Sequence, residues 1–150
     1  PLVSLESSGM VDSREEEPSL RPDDGSLEGD GWRILVAEDE YINKILIRSL
    51  LQQAGYHVTV VQNGREAVDA WRGGVFDCIL MDIQMPIMNG YEATAAIRAL
   101  TGSRGKVPII AMTANAFAED VQLAKNTGMN EHIAKPLDLN KLNDVLKQWL

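Results

Sequence analysis

From Arg33 onward, short apolar runs alternate with stretches whose apolar residues recur at helical spacing. "RILVA" (Arg33–Ala37) is an apolar run that ends in three acids, Glu38, Asp39 and Glu40. "YINKILIRSLLQQAG" follows at helical period, with Ile42, Ile45, Leu46, Ser49 and Leu50 on one face and Gly55 as the stop. "YHVTVV" alternates as a strand, and Asn63 caps a helix through Trp71 with Glu66 three residues on, close to a capping box. "FDCILM" reads as a buried strand and "NGYEATAAIRAL" as a helix whose start Gly90 weakens. "VPIIAMT" is the next strand, and "FAEDVQLAKNTG" is a helix stopped by Gly128. "EHIAKP" is a short strand broken by Pro136, and Asp138 caps a last helix with Leu139, Leu142, Leu146 and Trp149 on one side. Nearly wholly apolar strands separated by helices predict an α/β fold whose parallel sheet is covered on both faces.

The 150 residues are one domain's worth of chain, and the net charge of −8 is concentrated at one end. Residues 1–30 hold nine acids against Arg14 and Arg21, a net −7, in a Ser-, Gly- and Pro-rich context without hydrophobic period. Residues 1–31 are therefore expected to be an acidic, solvated linker or tail, and 32–150 the folded domain. The acidic balance gives no support for nucleic-acid binding. No run reaches the ~18 apolar residues of a membrane span, and no secretory leader is visible. Cys78, the only cysteine, is expected to be an inert core thiol. A reducing, cytoplasmic setting fits these features.

Open parallel sheets place their sites beyond the carboxyl ends of the strands. Polar residues sit at those ends: Glu38 and Asp39 after the first strand, Asp82 closing the third, Thr113 the fourth, and Lys135 with Pro136 after the fifth. Two carboxylates about 5 Å apart repel by roughly 3 kcal/mol at an effective dielectric near 20. Three acids near one another need compensation, and Lys135 alone leaves a formal −2. Oxygen donors without His or Cys suit a hard divalent cation such as Mg²⁺. A carboxylate in such a setting, with Lys135 and Thr113 in reach and small Ala114 leaving room, is also equipped to attack phosphorus and form an acyl phosphate.

The elements "VAEDE", "LMDIQMPIMNG", "IIAMTANA" and "HIAKP", in this order, resemble the receiver domain of two-component phosphorelays over Trp32–Leu150. The resemblance implies a flavodoxin-like (βα)5 sheet of order 2-1-3-4-5. It implies that Asp82 is the phosphoacceptor, and that Glu38, Asp39 and Asp82 hold Mg²⁺ with the backbone carbonyl of Gln84. Thr113 and Lys135 would contact the phosphoryl group and shift the edge formed by the last two strands and the helix at 117–126. The Lys135–Pro136 peptide bond would be cis, and Gln84 and Asn115 match positions that tune hydrolysis. Where the family has a switch Tyr or Phe, this chain has His132, a smaller and titratable ring. "NGREAV", "LLQQAGY" and the preceding linker-like segment resemble the C-terminal receiver of a hybrid sensor histidine kinase, with a free single-domain regulator as the other reading.

On the first helix, Ile47 and Leu51 lie opposite the face assigned to the core. With Lys44 they are expected to dock a histidine-phosphotransfer protein or a kinase dimerisation bundle, the family's partners for this helix. Three rival readings fare less well. Gln84 stands where dehalogenase-type phosphatases need a second Asp. "GSRGK" (Gly102–Lys106) is too short for a phosphate-binding loop and reads as a solvated turn. A receiver without phosphotransfer chemistry would not need the complete set of acids, Thr113 and Lys135.

Overall fold

A computed structural model describes residues 31–114 and 118–150. Asn115 and most of the acidic N-terminal segment lie outside the described residues. The chain alternates β1 (Arg33–Ala37), α1 (Tyr41–Gln53), β2 (His57–Val61), α2 (Gly64–Gly73), β3 (Cys78–Asp82) and α3 (Gly90–Arg98). A 3-10 turn at Gly102–Lys106 leads into β4 (Ile109–Thr113), α4 (Ala118–Thr127), β5 (Glu131–Ala134) and α5 (Leu139–Trp149). The strands form one parallel sheet of order β2-β1-β3-β4-β5, the order the resemblance implied.

Alternate side chains of each strand serve opposite faces. Leu35, Ala37, Ile79, Met81, Ile109 and Ala111 pack with Ala67, Ala93 and Ala124 of α2, α3 and α4. Ile34, Val36, Leu80, Ile110 and Met112 pack with Ile47 and Leu51 of α1 and Leu142 and Leu146 of α5. Cys78 lies within the second layer, where burial pushes its thiol up to about 12, so it is inert as expected.

Three local expectations are corrected. First, α1 is rotated relative to the reading of its pattern. Ile47 and Leu51 are 1% and 0% exposed, whereas Ile42 and Ile45 are 64% and 50% exposed and Leu46 also faces solvent. The helix is apolar on both sides, and the side carrying Ile47 and Leu51 packs with Ile34, Val36 and Leu80 of the sheet, while its amino terminus is capped. The Glu40 amide donates to Glu38 Oε2, and the Glu40 carboxylate accepts from the Asn43 amide. Second, α3 has a strong start: Asn89 and Glu92 form a complete capping box. Third, the Gly102–Lys106 turn is docked. The Arg104 guanidinium lies 4.6 Å from the Trp71 ring centroid, and the Trp71 indole donates to the Arg104 carbonyl.

Candidate functional site

The parallel register carries the polar strand ends to one edge of the sheet. Asp82 is paired with Met112, and Thr113 with Ala134. Glu38 and Lys135 each lie one residue past a strand, and backbone bonds from Glu38 N to Val61 O and Lys135 N to Thr113 O hold them there. Glu38, Asp39, Asp82, Gln84, Thr113, Ala114 and Lys135 all line one cleft. This includes each residue expected to bind the metal or to contact the phosphoryl group. Gly90 keeps the cleft floor close to α3, because a Cβ there would stand 2.3 Å from the Asp82 carbonyl oxygen.

Glu38 is fully buried, Asp82 is buried and Asp39 is exposed. One carboxylate oxygen from each lies within 4.8 Å of the others. Lys135 Nζ is 2.8 Å from Glu38 Oε1 and 3.2 Å from Asp82 Oδ2, so a single ammonium serves both buried acids. Burial and then the charge of Glu38 raise the Asp82 carboxyl from 3.8 to about 6, against the lowering effect of Lys135. Burial lowers the Lys135 ammonium, but Glu38 and Asp82 outweigh it and the net shift is upward. Lys135 is therefore charged at neutral pH.

This donor set fits Mg²⁺. Three clustered carboxylates offer only oxygen, and the one ammonium touching the two buried acids leaves negative charge uncompensated. The Lys135–Pro136 bond is cis, as the resemblance implied. His132 is half-buried on β5, opposite Ala111. The burial of Ile47 and Leu51 removes both from any docking surface, while Lys44, also half-buried, donates to Gln62 Oε1 at 3.0 Å.

Further residues line the cleft that sequence reasoning did not single out: Glu40, Asn43, Tyr91, Asp120 and Leu123. Glu40 was legible as the third acid of its run. Tyr91 and Asp120 lie on α3 and α4, and no local pattern marks them as facing this edge. Burial, and then the charge of Asp120, raises the Tyr91 phenol.

The profile of the response regulator receiver domain matches residues 34–147. Hybrid signal transduction histidine kinase I of Dictyostelium discoideum is 39% identical over 76% of this chain, and sensor protein GacS of Pseudomonas syringae pv. syringae is 38% identical over 78%. The chain spans only 7% and 13% of those two proteins. Among solved structures, the receiver domain of sensor histidine kinase PA1611 from Pseudomonas aeruginosa PAO1 has a magnesium ion coordinated in its active-site cleft. It superposes with a TM-score of 0.74 at 41% identity, covering 79% of this chain and 97% of that one. The receiver domain of Saccharomyces cerevisiae Ssk1, solved with the histidine phosphotransfer protein Ypd1, gives 0.73 at 30% identity over 79% of this chain and 88% of that one. The profile match over most of its length, the open sheet of order 2-1-3-4-5 and the acid–lysine cleft together make this chain a member of the response regulator receiver domain family.

Proposed function

We propose that Asp82 accepts a phosphoryl group from a phosphohistidine and that the resulting acyl phosphate switches the domain's conformation. The observation that carries this reading is the Lys135 ammonium bridging Glu38 and Asp82 in a cleft also lined by Thr113. In the transfer, the phosphorus–nitrogen bond to the imidazole breaks and a phosphorus–oxygen bond to the Asp82 carboxylate forms. The imidazole leaves with the bonding electron pair and takes up a proton from solvent. Asp82 attacks as the carboxylate, the form that Lys135 favours and that bound Mg²⁺ would favour further. Lys135 and the Thr113 hydroxyl offset charge on the phosphoryl oxygens. Glu38, Asp39, Asp82 and the Gln84 backbone carbonyl would hold Mg²⁺, which would supply positive charge to orient those oxygens and to neutralise the acids. His132 is assigned to the switch. The phosphoryl group adds close to two negative charges, which bias the β4–β5 edge and α4.

The parent protein is read as a hybrid sensor kinase in the cytoplasm, with residues 1–31 as its linker. None of the described helices is long and apolar enough to cross a membrane. Incubation with acetyl phosphate and Mg²⁺ followed by intact-mass analysis tests the chemistry. A hydroxylamine-labile gain of one phosphate, absent from Asp82→Asn, is expected; no adduct on the wild type overturns the reading.

The partner is a helix bundle bearing the phosphohistidine, seated on the outward stripe Ile42, Ile45 and Leu46 with Lys44 beside it. In support, these apolar side chains are exposed on the helix whose first turn reaches the cleft through Asn43, and the related Ssk1 receiver was solved with a phosphotransfer protein. The double substitution Ile42→Asp with Ile45→Asp is expected to slow transfer from a protein donor about tenfold or more while labelling by acetyl phosphate persists. Ile47→Asp puts a charge into the core. It is expected to cost roughly 3–5 kcal/mol and abolish labelling by both donors, as circular-dichroism melts would register.

A further inference from the structure

Between α1 and the edge strand β2 lies a groove of about 540 Å³ that shares no lining residue with the acidic cleft. Its charge is one-sided. Lys44 and Arg48 line it one helical turn apart, and neither α1 nor β2 contains an acid. Among the described residues neither cation pairs with a carboxylate. Lys44 donates to the neutral Gln62 amide, and Arg48 is exposed. Gln52 and Gln53 add further amide groups, and Ile45 and Val60 add apolar surface.

The chain itself supplies a matching occupant. Residues 22–30, "PDDGSLEGD", carry Asp23, Asp24, Glu28 and Asp30 and no cation, and they directly precede the described domain. The stretch ends where the groove begins. Gly31 N donates to the Gly55 carbonyl at 3.5 Å, and the Trp32 carbonyl accepts from the His57 amide, so the chain enters β1 beside the turn from α1 to β2. Gln52 and Gln53, in the last turn of α1, line that end of the groove. The 13 residues of α1 span about 20 Å. The stretch 22–30, fully extended, spans at most about 30 Å. It is therefore long enough to run from Gly31 past Arg48 to Lys44.

We propose that the acidic stretch 22–30 seats in the α1–β2 groove and shields the outward face of α1 until a partner displaces it. Glu28 and Asp24 would then lie along Arg48 and Lys44, with Leu27 against Ile45 and Val60. A single exposed ion pair is weak, but a tethered segment meets its groove at an effective concentration on the order of millimolar. Lys44 and Ile45 line the groove and also belong to the face proposed above for the phosphohistidine partner, so segment and partner exclude each other. The seating is independent of the transfer reading, whereas the shielding role rests on it.

The test uses the whole chain with a nitroxide on Ser26→Cys, where labelling is selective because Cys78 is buried. Paramagnetic broadening of the Lys44, Ile45 and Gln62 amides is compared with that in the same labelled chain carrying Asp23→Asn, Asp24→Asn, Glu28→Gln and Asp30→Asn, in which only the tether acts. Broadening about threefold stronger in the acidic chain is expected near 0.1 M salt, and no excess near 1 M, where the screening length falls from about 10 Å to about 3 Å. Arg48→Glu is expected to abolish the excess, and its combination with Asp24→Lys and Glu28→Lys to restore it. Equal broadening in the acidic and neutralised chains overturns the seating, as does an excess that survives Arg48→Glu. Broadening passed from a nitroxide-bearing chain to a separate isotope-enriched chain identifies a second copy as the occupant and overturns it too. For the shielding role, the neutralised chain without nitroxide is expected to gain about threefold in kcat/KM for transfer from phosphorylated yeast Ypd1, as release of a mostly seated segment requires, with labelling by acetyl phosphate within about twofold. Equal transfer to the two chains, or none to either, overturns the shielding. Acetyl phosphate that labels neither chain sinks the transfer reading instead, and the two failures are thereby distinguished.

Discussion

Lys135→Met is expected to be the most damaging single substitution in the cleft, lowering the stability of the metal-free domain at pH 7 by about 3–5 kcal/mol. The ammonium is 2.8 Å from fully buried Glu38 and 3.2 Å from buried Asp82. Methionine keeps the stem and its packing but leaves two acids beside each other without a cation. A domain of this size is stable by only about 5–15 kcal/mol, so a large part of the margin would go. The pH dependence distinguishes charge from packing. Lys135 has a raised folded-state value, so its contribution is fully present at neutral pH and is lost only as pH rises through that value. In the variant, the influence that holds Asp82 down is gone and its carboxyl rises further above about 6. The deficit should therefore shrink as pH falls from 7 to 5, because a protonated acid needs no partner. Urea melts in EDTA at both values would register this. A deficit equal at the two pH values would mean that lost packing, rather than unpaired charge, is the cause.

Asp82→Asn is expected to act in the opposite direction on stability while removing the proposed phosphoryl acceptor. The carboxyl is raised from 3.8 to about 6 in the folded chain, chiefly by burial and then by Glu38. Between those values the folded state holds more protons than the unfolded one, so stability falls as pH rises through the window and levels off above it. Ionised Asp82 thus opposes folding at pH 7, and the neutral amide removes that opposition. The metal-free variant should be more stable than wild type by about 1–3 kcal/mol at pH 7, with little difference near pH 4. Added Mg²⁺ should reverse the order, because an ion that binds only the folded wild type stabilises it by mass action, about 2.7 kcal/mol at a hundredfold excess over Kd. Thermal melts with and without Mg²⁺ measure both signs. If the metal-free variant melts below wild type at pH 7, the acid cluster is not the electrostatic burden described here.

These expectations share one origin. Glu38 and Asp82 are buried like charges, a placement that costs stability and that the proposed phosphoryl chemistry uses. The domain tolerates these costs because its two apolar layers, on either face of the sheet, carry its stability elsewhere.

The alternation of apolar strands with helical stretches was legible because β1, β3 and β4 are buried on both faces and so read as unbroken apolar runs, while the edge strand β2 alternates. β1 was read with the limits it has in the fold, Arg33–Ala37. The site was legible for a related reason: in a parallel sheet, consecutive strands end on the same edge, so linear position implies spatial neighbourhood. Glu38, Asp39, Asp82, Thr113 and Lys135 share one cleft on that account. The rotation of α1 was not legible. A helix with apolar residues on both sides has a periodic pattern that names two faces without saying which meets the sheet. Packing with Ile34, Val36, Leu80, Ile110 and Met112 of the sheet takes Ile47 and Leu51 inward and leaves Ile42 and Ile45 outward. Tyr91 and Asp120 joined the cleft through contacts among helices and loops far apart in the chain. The sequence by itself therefore determined the layers, the strand ends and the chemistry gathered there. Only the tertiary structure decided which surfaces were left facing solvent, because burial depends on what packs opposite a residue and not on the residue alone.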